Sequence, residues 1–319
     1  MIGYILRRLG YGLVVMVLVT IFVFVIMRLV PGDAISLRLQ DTGVSAEDAD
    51  KLRAQFGLDD PVWVQLGDWL RGAVHGDLGR SFYTGKPVAD LFFERVPVTA
   101  QLGLLAMVFA ALVGVSMGIF AAVRRGTAAD GAVRLFAVAF LSVPNFVVAL
   151  LLLTGLAVWF RWSPPIVYSG PGEDFAGWLQ QIAIPVLALG TAGMAATTRM
   201  TRSSMLESLG SDYIRTVRAK GARPRTVILK HALRNSTIAV LTLLGLELAT
   251  VLGGTVILEQ MFAIPGTGQL IYQAVLDRDY PVVVACTIFY AAFFIVVIIL
   301  IDVLYALVDP RIRTGKALS

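Results

Sequence analysis

Charge is what this sequence has least of. Only 15% of its 319 residues are Asp, Glu, Lys or Arg, against roughly 25% in an ordinary soluble domain. A chain this long could bury a core, but a soluble one would need a more charged surface. Cysteine is down to one residue, Cys286, inside an apolar run, which excludes an intrachain disulfide and carries no redox information. Two histidines, His75 and His231, are present. With no His-Glu-x-x-His and no paired cysteine, a metal site is not expected. The absence of a Gly-x-Ser-x-Gly elbow argues against a membrane hydrolase. The nearest string to a nucleotide-binding loop is Gly79-Arg-Ser-Phe-Tyr-Thr-Gly85-Lys86-Pro87. It has five residues between the glycines where the motif has four, and Pro87 where Ser or Thr belongs. No cofactor is expected in this chain. There is no internal repeat and no low-complexity segment.

What the chain has in excess is apolar residues, 57% of the total, with a mean hydropathy of +0.77. Six apolar stretches are long enough to cross a bilayer, which takes about 20 residues each. They run approximately over 9–30, 98–123, 132–160, 179–200, 236–258 and 282–308. Without two-residue alternation they read as helices. The expected fold is therefore an all-α integral membrane protein. Arg7 and Arg8 before the first stretch resemble a signal peptide, but that stretch exceeds a typical h-region and no A-x-A-like site follows. It reads as an uncleaved span.

The charges set the orientation. Lys and Arg gather in four places: Arg7 and Arg8, Arg124 and Arg125, the loop 199–235, and Arg311, Arg313 and Lys316. With six spans all four fall on one side, which the positive-inside bias makes the cytoplasm, both termini included. The other side receives the segment 31–97, with eleven acids and seven bases. The loop 199–235 carries nine Lys or Arg and only two acids. Its surplus of +7 exceeds the +5 of the whole chain. Net basicity of this kind, without a platform of interleaved aromatics, does not point to nucleic acid. The segment 31–97 is too long for a simple connector. Its amphipathic pieces, 46–56 and 61–70, predict a small helical cap outside the membrane. The division expected is 1–95, the first span and outer segment, and 96–319, a five-span core.

Within the basic loop, Ser211 is placed to cap a helix and Asp212 suits its first turn. Tyr213, Ile214 and Val217 form one small apolar face. Gly221 ends the helix, and Pro224 can start another. A short helix, a break at 221–224 and a second short helix over about 225–235 are predicted. Such a helix can dock into a groove on another protein, or the loop can simply set topology and touch anionic head groups.

Other features have a packing reading beside a functional one. Glu247 lies near the middle of the fifth span, where a lone acid is costly and is a candidate functional residue. It can also be a protonated or hydrogen-bonded helix contact. Gly114 and Gly118 form Gly-x-x-x-Gly, the signature of close helix packing. Pro144 and Pro185 are expected to kink their helices. Arg28 can snorkel at the end of span one and is assigned no role.

The stretch Tyr213-Ile-Arg-Thr-Val-Arg-Ala-Lys-Gly221, followed by His231-Ala-Leu-Arg-Asn235, resembles the EAA loop of bacterial ABC importer permeases. Against the general EAA pattern only Gly221 and Leu233 match literally. Against the peptide-importer branch, in its "B"-type subunits, the match is complete except for Val217 in place of Ala. Further stretches resemble the same branch: Leu58-Asp-Asp-Pro61, His75-Gly-Asp-Leu-Gly79, Pro97-Val-Thr99, Ser142-Val-Pro-Asn-Phe146, Glu259-Gln-Met-Phe-Ala-Ile-Pro-Gly-Thr-Gly268, Arg278-Asp-Tyr-Pro281, Asp302-Val-Leu-Tyr305 and Asp309-Pro-Arg311. The resemblance spans nearly the whole chain.

It implies a type I ABC importer permease in the cytoplasmic membrane, not itself an enzyme, translocating di- or oligopeptides. Its partners would be a second similar permease, two ATP-binding subunits and an extracytoplasmic binding protein. The coupling residues implied are Tyr213, Ile214, Arg215, Thr216, Val217, Arg218, Ala219, Lys220, Gly221, His231, Leu233, Arg234 and Asn235. The arginines and Lys220 would meet acidic or carbonyl groups on the ATPase, while Tyr213, Ile214 and Val217 fill its groove. Asp77, Gly79, Glu259, Pro265 and Gly266 would lie by the outer entrance and the binding protein. Relatives of this branch also carry nickel, glutathione or other small solutes. A secondary transporter, which would be expected to show inverted repeats and more intramembrane charge, is the competing class.

Overall fold

The computed structural model describes residues 2–29, 35, 50–51, 53–54 and 56–308, and among them the regular structure is helical. The helices are α1 (Ile2–Leu29), α2 (Val62–Val74), α3 (Val88–Val123), α4 (Ala128–Ser142), α5 (Asn145–Phe160), α6 (Phe175–Gly210), α7 (Asp212–Ala219), α8 (Leu233–Met261), α9 (Thr267–Leu276) and α10 (Tyr280–Val308). Between α7 and α8 a single α-turn at Pro224–Thr226 runs into a π-helical segment, Val227–Ala232.

Five of these helical stretches are long and apolar enough to cross a membrane: 7–29, 88–123, 175–210, 224–248 and 280–300. The third expected span, 132–160, is not one helix. α4 and α5 are bent by 105° at Val143 and Pro144. Pro144 supplies no N–H, and its ring disfavours helical backbone at the preceding residue. Val143 is accordingly extended, at φ −101° and ψ 124°. Pro185, by contrast, lies within the continuous α6.

The outward faces of the spans are as apolar as their inward ones. Phe22 on α1, Leu112 on α3 and Leu151 on α5 are each more than 60% exposed. That suits lipid, where no water rewards a polar outer face. Hydroxyls on the spans donate back to the carbonyl four residues earlier, as Thr20 does to Met16, Thr198 to Met194 and Thr287 to Val283. Each of these three hydroxyls is thereby satisfied within its own helix.

Packing separates residues 1–99 with 264–296 from residues 100–263 with 297–319. In the first unit α2 packs on α1, and Gly12 of α1 leaves room for Ile295 of α10. Its core gathers Val88, Leu91, Phe92, Leu270, Val282 and Cys286, with Phe92 stacked on Phe289 at 4.0 Å. The Thr267 amide donates to Thr99 Oγ1 at 2.8 Å, and the Tyr290 hydroxyl donates to Thr267 Oγ1 at 3.0 Å. Arg28 is held rather than snorkelled. Its guanidinium lies 4.4 Å from the centroid of the Tyr280 ring and donates to Gln65. The expected outer piece 61–70 is the start of α2. The other expected piece, 46–56, lies largely outside the described residues, as do 309–311.

In the second unit α6 is the central helix, packed against α4, α5 and α8. Gly114 and Gly118 of α3 let the backbone press against it. A Cβ at Gly114 would lie 2.7 Å from Thr197 Cβ, and one at Gly118 would lie 2.5 Å from Thr201 Cβ. The Gly-x-x-x-Gly pattern is thus a packing groove. Asp130, in the first turn of α4, accepts a bidentate pair from Arg202 of α6 at 2.7 and 2.8 Å. It also accepts from the Gly126 amide at 3.1 Å.

Candidate functional site

α6 ends at Gly210, and the chain turns through Ser211 into α7. Ser211 occupies the cap position, but its hydroxyl donates back to the Ser208 carbonyl rather than capping α7. Asp212 in the first turn pairs with Arg215 at 3.2 Å on the open surface. At the other end the Ala222 amide donates to the Val217 carbonyl at 3.3 Å and the Gly221 amide to the Arg218 carbonyl at 3.0 Å. These two bonds form a Schellman motif, whose left-handed residue is Gly221 at φ +79°. Glycine takes that conformation without the strain a Cβ brings.

After the stop, Pro224 opens the next turn as its first helical residue. The expected second short helix is absent as a separate element. The π-segment passes straight into α8 with no break, because no Pro or Gly interrupts residues 225–244. α7 contacts the end of α6 and the π-segment. Two polar ties help hold this end together: the Tyr213 hydroxyl donates to the His231 carbonyl at 3.3 Å, and the Asn235 amide donates to Ser208 Oγ at 3.2 Å. Beneath them Met205, Ala122 and Ala232 form a small buried cluster with Ile228 and Leu233 at its edge.

One expectation for this helix is corrected. Ile214, expected to enter a groove on a partner, has no exposed surface. α7 lies against its own chain, anchored by Ile214, its largest aliphatic residue. What α7 leaves outside is Asp212, Tyr213, Arg215, Thr216, Arg218, Ala219, Lys220 and Gly221, with Val217 half-buried. Arg223, Arg225, Lys230 and Arg234 are exposed beyond it, while His231 and Leu233 are half-buried. The free face of the loop is therefore cationic, with one aromatic ring at its edge.

The residues expected by the outer entrance fall in different surroundings. Asp77 is exposed and accepts from the Gly79 amide at 2.9 Å, an Asx turn that sets Gly79 at φ +85°. Gly266, buried, precedes the first turn of α9, beside the half-buried Pro265. Glu259, near the end of α8, has no exposed surface.

Asp279, which lies in the Arg278-Asp-Tyr-Pro281 stretch, organises the first unit. It is 3% exposed, and three donors from one loop converge on its carboxylate. The Ser81 hydroxyl and the Tyr83 amide reach Oδ2, and the Phe82 amide reaches Oδ1 at 3.0 Å. Burial pushes the Asp279 carboxyl above the usual carboxylate range, against those hydrogen bonds, which pull it down.

Glu247 opens into a cavity of about 100 Å³ between α3, α5, α6 and α8. The same cavity is lined by Asn145, Thr250, Gly193 and Gly254.

Comparison with known proteins decides the family. A family model described as "Binding-protein-dependent transport system inner membrane component" matches residues 114–314, and its N-terminal companion matches residues 1–103. The chain belongs to this family of inner-membrane transport components. A Brucella abortus (strain 2308) protein named as a peptide transport system permease is 41% identical over 313 residues, 98% of this chain and 99% of the relative. A Sinorhizobium fredii protein named as a peptide ABC transporter permease is 37% identical over 310 residues, 97% of this chain and 99% of the relative. The dipeptide transport system permease protein DppB of Escherichia coli (strain K12) is 38% identical over 339 aligned positions, 99% of this chain and all of the relative. With its membrane-spanning helices, this member of the family is a multi-pass transport permease of the inner membrane.

Proposed function

We propose that this chain is one of two permease subunits of an ATP-driven, binding-protein-dependent importer of di- or oligopeptides. The family supplies the transport role, and the full-length similarity to relatives named for peptide transport supports the cargo. Two ATP-binding subunits, with their ATP and Mg, dock against the loop 199–235 on the cytoplasmic side, where both termini lie. The binding protein delivers cargo at the opposite face, near Asp77, Gly79, Pro265 and Gly266.

The observation that carries the coupling reading is the exposed cationic face of α7 on a helix anchored from beneath. Arg218 and Lys220 are open to carboxylates or carbonyl groups of an ATPase, and Arg215, paired with Asp212 on the open surface, can exchange that partner for one of theirs. Tyr213 and the outer edge of Val217 supply its apolar contact, in place of Ile214. ATP-driven closure of the ATPase pair would pull α7, and α7 would pull α6 and α8 through their short connections. The permease then changes between inward- and outward-open states, an equilibrium biased by the ligands on each side.

The test is retrieval and reconstitution. A tag on this chain should bring down a second permease and two ATPases, and proteoliposomes holding them should take up peptide only with ATP and the binding protein. Uptake driven by an ion gradient, by this chain alone, would overturn the reading.

A further inference from the structure

The cavity at Glu247 places polar side chains against open space within the spans of the second unit. Among the described residues no group hydrogen-bonds or ion-pairs with the Glu247 carboxylate, and none does so with the Asn145 amide. Both side chains are half-buried and line the same cavity. Thr250 adds a third oxygen. Its hydroxyl proton is already committed to the Glu247 main-chain carbonyl at 2.9 Å, leaving lone pairs free. The remaining wall is apolar or glycine. A Cβ at Gly193 would come within 3.8 Å of Glu247 Oε2, and one at Gly254 within 2.9 Å of Asn145 Nδ2. Those glycines are the space in which the two polar groups stand.

The chemistry of this lining is one-sided. It offers a carboxylate, an amide oxygen and a hydroxyl oxygen, and it contains no Lys or Arg. A carboxylate or phosphate would find no cation there. A primary ammonium group has one positive charge and three N–H donors, which matches three acceptors of net negative charge. The volume suits such a head group with a little water, not a whole solute. An unpaired acid within a span is costly, and that cost is removed each time a cation arrives.

We propose that Glu247, Asn145 and Thr250 form a transit site for the primary ammonium group of the cargo. This rests on the peptide reading, since peptides carry such a group at the amino terminus and on lysine. Glu247 holds the charge, Asn145 orients it from the broken end of α5, and the rest of the peptide passes beside the cavity.

The experiment uses the assembled complex, both permeases with both ATPases, and has two readouts. The first is carbodiimide modification of Glu247, followed by peptide mass spectrometry. Methylammonium and alanyl-alanine should protect Glu247, and propionyl-alanine, identical to alanyl-alanine but for the amino group, should not. Propionyl-lysine separates the two sources: protection means any primary ammonium is accepted, and its absence confines the site to the amino terminus. No modification of Glu247, or equal protection by alanyl-alanine and propionyl-alanine, overturns the proposal. The second readout is uptake of alanyl-alanine with the binding protein present. Glu247→Gln should lower it roughly tenfold, the scale of one charge-assisted hydrogen bond, while the complex still assembles. Unchanged uptake overturns the site. The peptide reading fails separately: the wild-type complex would then take up no alanyl-alanine, whether or not methylammonium protects Glu247.

Discussion

The loop around Ser81 and the loop around α7 handle polar groups in opposite ways. In the first, Asp279 is buried and three donors of one loop are used up on its carboxylate. In the second, the anchoring is mostly apolar, through Ile214, and the arginines are left on the surface. A charge satisfied inside its own chain holds a loop in place. A charge left outside on an anchored helix is available to a partner. The difference shows where the fold is closed and where it is incomplete.

Breaking the closed region should have the largest effect. Asp279→Ala leaves the Ser81 hydroxyl and two amides without their acceptor, and each buried unmet donor costs on the order of 1–3 kcal/mol. Loop 76–87 should lose about 3 kcal/mol of protection in hydrogen exchange. The pH dependence has a defined sign. Because the folded carboxyl is raised, the native loop holds its proton above the usual carboxylate range. Protection should be greatest in acid and decline as pH rises through that raised value.

At the open region the effects on folding shrink. Gly221→Ala places a Cβ on a left-handed residue and should cost about 1 kcal/mol, read as fraying of residues 217–222 in hydrogen exchange. Tyr213→Phe removes the donor to the His231 carbonyl on an exposed edge. It should change thermal stability by less than about 0.5 kcal/mol. Arg218→Glu, an exposed change with no described partner lost, should alter stability least of all and activity most.

The spans were legible in the sequence because an apolar run of that length admits few other structures in a bilayer. The helix stop at Gly221 was legible because a glycine before Ala-Arg-Pro announces a left-handed cap. The size of the bend at Pro144 was not. A proline inside an apolar run predicts a kink, whereas here Val143 leaves the helix altogether. Asp279 was hidden because Arg278-Asp-Tyr-Pro reads locally as an exposed turn, and its partners lie almost 200 residues earlier. Ile214 was misdirected for a related reason. An eight-residue helix shows its apolar face in sequence, but not whether that face meets its own chain or another. The cavity at Glu247 was half visible: the acid stood out, while Asn145 joined it only through the break between α4 and α5.

The most direct measurement is of ATP hydrolysis and peptide uptake side by side, in the reconstituted complex carrying Arg218→Glu. The expected result is a permease with unchanged thermal stability whose peptide uptake collapses, with hydrolysis no longer stimulated by loaded binding protein. Full uptake with normal stimulation would show that the cationic face of α7 is not what couples the ATPases to the spans.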